Sequence, residues 1–426
     1  MRGEEPAGHP YRGPEGATRH PVSADLLRKI LRSLERELPD AVRLRERLHA
    51  AAEPSHEEHH TSRLVGEALG GQGMERVLRT GLMARVGPPG KAVAVRAELD
   101  ALPIRERTGV PFAATGGSMH ACGHDVHMAA LVALFRAATR IEGSLPKSLL
   151  AFFQPSEEAY PAGADLMVRD GALEGETDAI VAAHVHPEVP WGALSVEAGP
   201  VNASSDNLRI TVEGSGGHGA YPHRARDPIL ALSHVVVALQ SLVSRRLDPM
   251  RAAVFSVGWV LAGTAENVIP DVAEAGGTLR VLDPEDREPL LQKALQIVES
   301  TARAQDCTAS VEVTRGEPAT VNDEVLAATA RSLLPEAGFG LSFPMRSCGS
   351  DDFGFYGRTS PALMMFVGIK NAPGTPNVPL HHPGFLPPKE AVRAVARAQA
   401  LAFAAASVPP QHREKKQQAT GDFPVA

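Results

Sequence analysis

Apolar positions along this chain follow a helical and a strand-like pattern in turn. Leu26, Leu27, Ile30, Leu31 and Leu34 recur at helical spacing and predict an early helix. Ala92-Val93-Ala94-Val95 is a continuous apolar run, predicting a buried strand that ends at Arg96-Ala97-Glu98-Leu99-Asp100. After residue 124 the helical period returns, with Ala130, Leu131, Leu134 and Phe135 on one face. Residues 148–153 and 178–185 read as two more buried strands. Strands alternating with helices predict an α/β fold. Such folds place ligands where strands leave the sheet.

The middle of the chain has another order. Residues 206–213 predict a strand and 227–245 a helix opened by Asp227-Pro228. Residues 252–261 and 271–282 predict two strands, 284–305 a helix carrying Leu290, Leu291, Leu295 and Ile297, and 309–314 a last strand. That is β-α-β-β-α-β, a small ferredoxin-like domain inserted into the first. The outer domain resumes near residue 320 with a helix, a strand at 362–367 and a helix at 389–405. The expected division is a catalytic domain over 23–203 and 317–408, a mixed-sheet α/β unit, interrupted by an inserted domain over 204–316. Residues 1–22 and 409–426 lack periodicity and read as flexible tails.

A length of 426 residues accommodates two domains. Hydrophobic residues make up 43% and charged ones 22%, as in ordinary globular proteins. A net charge of −7 argues against a general nucleic-acid binder. No apolar run is long enough to cross a bilayer, and the start lacks a secretory apolar segment. Cys122, Cys307 and Cys348 form no disulfide framework, so a reduced cytoplasm is expected.

Chemistry concentrates in four segments near predicted strand ends. Met119-His120-Ala121-Cys122-Gly123-His124-Asp125-Val126-His127 offers a thiol and an imidazole two residues apart. Gln154-Pro155-Ser156-Glu157-Glu158, His184-Val185-His186-Pro187 and Leu380-His381-His382-Pro383 are the others. A mixture of Cys, His and Glu suits zinc, and manganese, cobalt or nickel accept most of it. Two cations about 3.5–4 Å apart, bridged by a thiolate or carboxylate, would make a two-metal hydrolase. Adjacent Glu157 and Glu158 point apart, so one can bind metal while the other serves as general base. Ser55-His56-Glu57-Glu58-His59-His60 is richer still in His and Glu, but it sits at a predicted helix start and reads as a solvated face.

Together these segments resemble the aminoacylase, hippurate hydrolase and indole-3-acetic-acid–amino-acid hydrolase family of metallo-amidohydrolases. The likeness also includes Gly216-Gly217-His218-Gly219-Ala220-Tyr221-Pro222-His223, Glu266-Asn267-Val268-Ile269-Pro270-Asp271 and Gly349-Ser350-Asp351-Asp352-Phe353. It runs in order from about residue 24 to 405. The resemblance implies that Cys122, His124, Glu158, His184 and His381 bind two divalent ions, zinc or manganese first, with Cys122 bridging. It makes Glu157 the general base and Asp100 the carboxylate that orients a metal-bound histidine. It gives His218 to the oxyanion, in relatives often across a dimer interface, and Asn267 and Arg280 to the substrate's carboxylate. The inserted domain would then be a lid and dimerisation domain. One departure is Ala50-Ala51-Ala52-Glu53-Pro54-Ser55, where the family usually carries a His-Pro-Glu-Leu segment. His186 and His382 are extra imidazoles beside two implied ligands.

The resemblance therefore implies hydrolysis of an N-acyl amino acid to a carboxylic acid and a free amino acid, by a homodimer acting on a small molecule. A dipeptidase or metallocarboxypeptidase would use the same centre. A non-catalytic binding protein on this fold would be expected to have lost Glu157 or a ligand.

Overall fold

A computed structural model describes residues 21–71 and 73–408. The tails expected over 1–22 and 409–426 lie outside the described residues, except that Pro21 and Val22 begin the helix Pro21–Leu34. The larger sheet has eight strands, in the order Met74–Val77, Gly81–Val86, Ser148–Gln154, Ala92–Glu98, Thr177–Pro190, Ala362–Lys370, Ala193–Ser195, Gly340–Leu341. Its centre is parallel: Ala92–Glu98 pairs in parallel with both Ser148–Gln154 and Thr177–Pro190, which in turn pairs with Ala362–Lys370. Every residue of Ala92–Glu98 and Ser148–Gln154 is buried, as expected for strands covered on both faces. One face carries the helices Pro21–Leu34, Leu38–Ala50, His124–Arg140 and Ala391–Ala406. The other packs against Gly163–Arg169 and the 3₁₀ turn Asp352–Arg358.

A second sheet is built from Ser204–Glu213, Ala253–Ala262, Val272–Val281 and Thr308–Arg315. Its antiparallel order, second-third-first-fourth, is the ferredoxin-like arrangement. Helices Pro228–Leu239 and Pro284–Arg303 cover one face with a core of their own. The short pair Gly199–Asn202 and Thr320–Asn322 lies where the chain passes between the two sheets.

Two expectations are corrected. The helix expected over 227–245 divides into Pro228–Leu239 and Ser241–Arg246 at Gln240. His184 does not end its strand, which runs on to Pro190. Pairing with Ala92–Glu98 stops at Val181, however, and beyond it the strand continues on its pairing with Ala362–Lys370, an edge position where proline is tolerated.

Candidate active site

The site forms where the parallel strands leave the larger sheet. Asp100 follows Ala92–Glu98, Glu157 and Glu158 follow Ser148–Gln154, and His124 opens the helix His124–Arg140. Gly123 has φ 88, and a Cβ there would stand 2.5 Å from Val185 Cγ2, so the turn between Cys122 and His124 requires glycine. Ser156 (φ 53) and His381 (φ 65) take left-handed backbone without being glycine. Such strain persists only where neighbours over-determine it. Ser156 N–H donates to Glu58 Oε1 at 2.8 Å, and His381 N–H to Ala121 O at 2.9 Å.

Among the described residues five groups of three candidate donors emerge, and two of them share the Cys122 thiol. The donor atoms of Cys122, His124 and His184 lie within 4.8 Å of one another, as do those of Cys122, Glu158 and His381. The imidazoles of His184 and His124 are each oriented by their second nitrogen. His184 Nδ1 meets Val185 O at 2.6 Å, leaving the Nε2 lone pair facing Cys122 Sγ at 3.4 Å. His124 Nδ1 meets the main-chain oxygen of Asp100 at 2.9 Å, with Asp100 Oδ1 at 3.4 Å. His124 Nε2 and Glu158 Oε1 are buried and have no hydrogen-bond partner, which a cation would remedy. Burial, then the charges of Glu158 and Glu157, push the Cys122 thiol well above its ordinary value. A thiolate at this place needs positive charge beside it. Burial holds His184 neutral, well below its ordinary value. Burial opposes a charge on His124, but Asp100, Glu98 and Glu158 raise it to about 10. These residues fit a pair of divalent ions.

Glu157 forms a further donor group with His124 and Glu158, its Oε2 3.9 Å from His124 Nε2. Burial, then Glu158, Asp351 and Asp352, push its carboxyl well above the usual carboxylate range. Glu157, Glu158 and His381 line a cleft of about 430 Å³ together with Arg280.

Comparison with known proteins agrees with this geometry. The family model described as Peptidase family M20/M25/M40 matches residues 94–403. The chain belongs to this family. It is 35% identical over 361 residues to N-acetyl-L-cysteine deacetylase of Bacillus subtilis (strain 168), covering 83% of this chain and 84% of that protein. It is 36% identical over 363 residues to IAA-amino acid hydrolase ILR1-like 5 of Arabidopsis thaliana, covering 81% of each. A crystal structure of a Bacillus subtilis dinuclear metal binding peptidase from the M20 family superposes with a TM-score of 0.76 at 29% identity, over 87% of this chain and 98% of that one. As an M20 protein the chain is a metal-dependent amidohydrolase.

The structure thus gathers Cys122, His124, Glu157, Glu158, His184 and His381, with Asp100 against His124 and Arg280 lining the same cleft. Asp100 Oδ2 accepts from Ser55 Oγ at 2.7 Å and from Glu158 N–H at 2.9 Å, so one carboxylate fixes a histidine and the Glu158 backbone. His218 and Asn267 are not brought to this cleft. They lie at the exposed ribbon formed by Gly217–His218 and Val268–Ile269, where His218 pairs with Val268 and Gly219 N–H donates to Asn267 O. Among the extra histidines, His127 bridges Glu98 Oε2 and the Val185 N–H, whereas His120 is buried without a hydrogen bond and burial lowers it to about 4. Asp125 is a buried anion clasped by Arg45 and His49.

The expectation of a solvated face at 55–60 fails for Glu58. His59 and His60 are exposed, but Glu58 is fully buried. Its Oε1 accepts from the Ser156 N–H and its Oε2 from Thr80 Oγ1 at 2.8 Å, so it holds the turn that carries Glu157. A contact spanning 98 residues leaves no local mark in the sequence. Arg96, Asp351 and Asp352 were also outside the expected site, although they lie under Glu157.

Proposed function

We propose that this enzyme hydrolyses the amide bond of an N-acyl amino acid, releasing a carboxylic acid and a free amino acid. The observation that carries the reading is the pair of donor clusters sharing Cys122, with Glu157 beside them and, in the same cleft, the Arg280 guanidinium, which forms no ion pair among the described residues. The deacetylase and amino-acid hydrolase relatives act on substrates of that class by name. Cys122, His124, Glu158, His184 and His381 would hold two divalent ions, zinc or manganese before cobalt or nickel. Ions bound there polarise the amide carbonyl and acidify a water. Glu157 takes that water's proton and returns it to the departing amine nitrogen. Asp100 keeps the His124 ring oriented through its Nδ1 side. Arg280 holds the α-carboxylate, and Asn267, on the ribbon that carries His218, would reach it only from a partner subunit.

Removing metal with a chelator should abolish activity, and reloading with zinc, manganese, cobalt or nickel should restore it at two ions per chain. N-acetyl amino acids should then be turned over and dipeptides not. Activity confined to dipeptides, or full activity without metal, would defeat the reading.

The reading includes a homodimer in the cytoplasm. The strand Ala253–Ala262 is an edge of the smaller sheet and exposes Val260 and Leu261 at 57% and 65%, beside Val237 on the covering helix at 72%. Long apolar edges invite pairing. Ala220 N–H donates to His218 Nδ1, so in the neutral ring Nε2 carries the proton and can donate to an oxyanion in the partner's cleft. Light scattering should give twice 45.1 kDa. Val237→Asp combined with Val260→Asp should give monomers and lower kcat at least about tenfold. Active monomers would show that His218 does not act across an interface.

A further inference from the structure

Glu157 has to be aimed at the water it deprotonates, yet no hydrogen bond among the described residues grips its carboxyl. Its direction is therefore set by its backbone and by what fixes the residues on either side. Ser156 N–H donates to Glu58 Oε1 at 2.8 Å. Glu158 N–H donates to Asp100 Oδ2 at 2.9 Å, and the same oxygen accepts from Ser55 Oγ at 2.7 Å. Both flanks of Glu157 thus lead back to one short segment, residues 55–58.

That segment is itself firmly seated. Ala101 N–H donates to Glu53 O at 2.8 Å, which joins it to the chain just beyond Asp100. Glu53 Oε2 accepts from Thr61 N–H at 2.8 Å and from Thr61 Oγ1 at 3.0 Å, which fixes it to the first turn of the helix His59–Leu69. Glu58 is fully buried, and besides Ser156 it accepts from His56 N–H at 2.9 Å and from Thr80 Oγ1 at 2.8 Å. A buried carboxylate met by several donors makes a strong anchor. It acts where one is needed, because the left-handed backbone of Ser156 (φ 53) has to be held against its own preference.

We propose that Glu58 and Ser55 are positioning residues for Glu157, a clasp that fixes the backbone before and after the base. This rests on the role given to Glu157 above. A misplacement of about 1 Å can cost on the order of a hundredfold in rate. Neither residue lines the cleft, so loosening the clasp should appear in kcat and leave KM nearly unchanged.

The test uses the metal-loaded enzyme, with steady-state rates on an N-acetyl amino acid and amide hydrogen exchange at Ser156 and Glu158. Glu58→Ala should lower kcat about ten- to hundredfold at unchanged KM and metal content, and exchange at Ser156 should quicken. Glu58→Gln should restore most of both, since its Oε1 still accepts the two N–H groups and its amide can donate to Thr80 Oγ1. A purely structural role would lower the yield of folded enzyme without changing kcat per loaded site. Ser55→Ala is the milder variant and carries the test if Glu58→Ala does not fold: exchange should quicken at Glu158, with a smaller fall in kcat. Unchanged exchange or unchanged kcat in the folded variants, or equal losses in Glu58→Ala and Glu58→Gln, would overturn the positioning role while leaving N-acyl hydrolysis intact. Turnover of dipeptides and of no N-acetyl compound would overturn that reading instead, and the same variants then judge the clasp on a dipeptide.

Discussion

Glu157→Gln is expected to lower kcat by about a thousandfold or more while the protein keeps its fold and both metal ions. The amide side chain has the shape of the carboxyl but cannot accept the water's proton. Stability should hold or rise, because Glu157 crowds Glu158, Asp351 and Asp352, and burial together with those neighbours already disfavours its charge. Relief of like-charge repulsion offsets any lost contact. Glu158→Gln is the informative contrast. Its Oε1 belongs to the cluster with Cys122 and His381, so this change should lose metal and activity together. Metal analysis, thermal melting and steady-state rates on both variants separate base from ligand. Substantial residual activity in Glu157→Gln would exclude it as the base, and loss of metal in that variant would make it a ligand instead.

The parts of this site that the sequence reveals are those whose geometry is local. Cys122 and His124 are joined by one glycine, and Glu157 and Glu158 are neighbours, so their pairing is visible without a fold. The apolar runs before Asp100 and Glu157 place both at strand exits, because a strand buried on two faces must be apolar almost throughout. The smaller sheet is legible for a related reason: Ser204–Glu213 alternates buried and exposed positions over most of its length. His184 is harder, since prolines after it resemble a strand stop, and only the open edge beyond Val181 explains why the strand continues. Glu58 and Arg96 are invisible as site residues for a deeper reason. Each acts through partners distant in sequence, and a buried charge in an otherwise ordinary segment acquires its meaning only when those partners meet.

Arg96→Met should be the most destabilising single change near the site, costing about 3–5 kcal/mol, the usual result of stripping one partner from a buried ionic cluster. Arg96 has a fully buried side chain. Its Nε donates to Gln154 Oε1 at 2.9 Å, its Nη1 to Glu98 Oε1 at 2.6 Å and Asp351 Oδ1 at 3.1 Å, and its Nη2 to Asp352 Oδ1 at 2.6 Å. One guanidinium therefore ties together two strand ends and the turn under Glu157. Lysine could not reproduce that fork. The deficit should depend on pH, and its sign follows from the carboxyls. Burial resists the charge on Glu98, yet Arg96 and His127 hold it well below its ordinary value. Glu98 thus contributes stability above the ordinary glutamate pKa that is lost as pH falls, and without Arg96 much of that contribution disappears. Burial raises Asp352 to about 8 even with Arg96 present. A raised carboxyl costs stability increasingly as pH climbs from the ordinary carboxylate range towards its folded pKa, and removing the guanidinium raises it further. The Glu98 contribution persists until pH falls towards its depressed folded pKa, so a deficit should already be present near pH 4.5, and the Asp352 effect should widen it through pH 8. Urea unfolding of the two proteins at pH 4.5 and 8, at equal metal loading, measures it. An equal deficit at both pH values would mean that Arg96 does not hold down the pKa of Asp352.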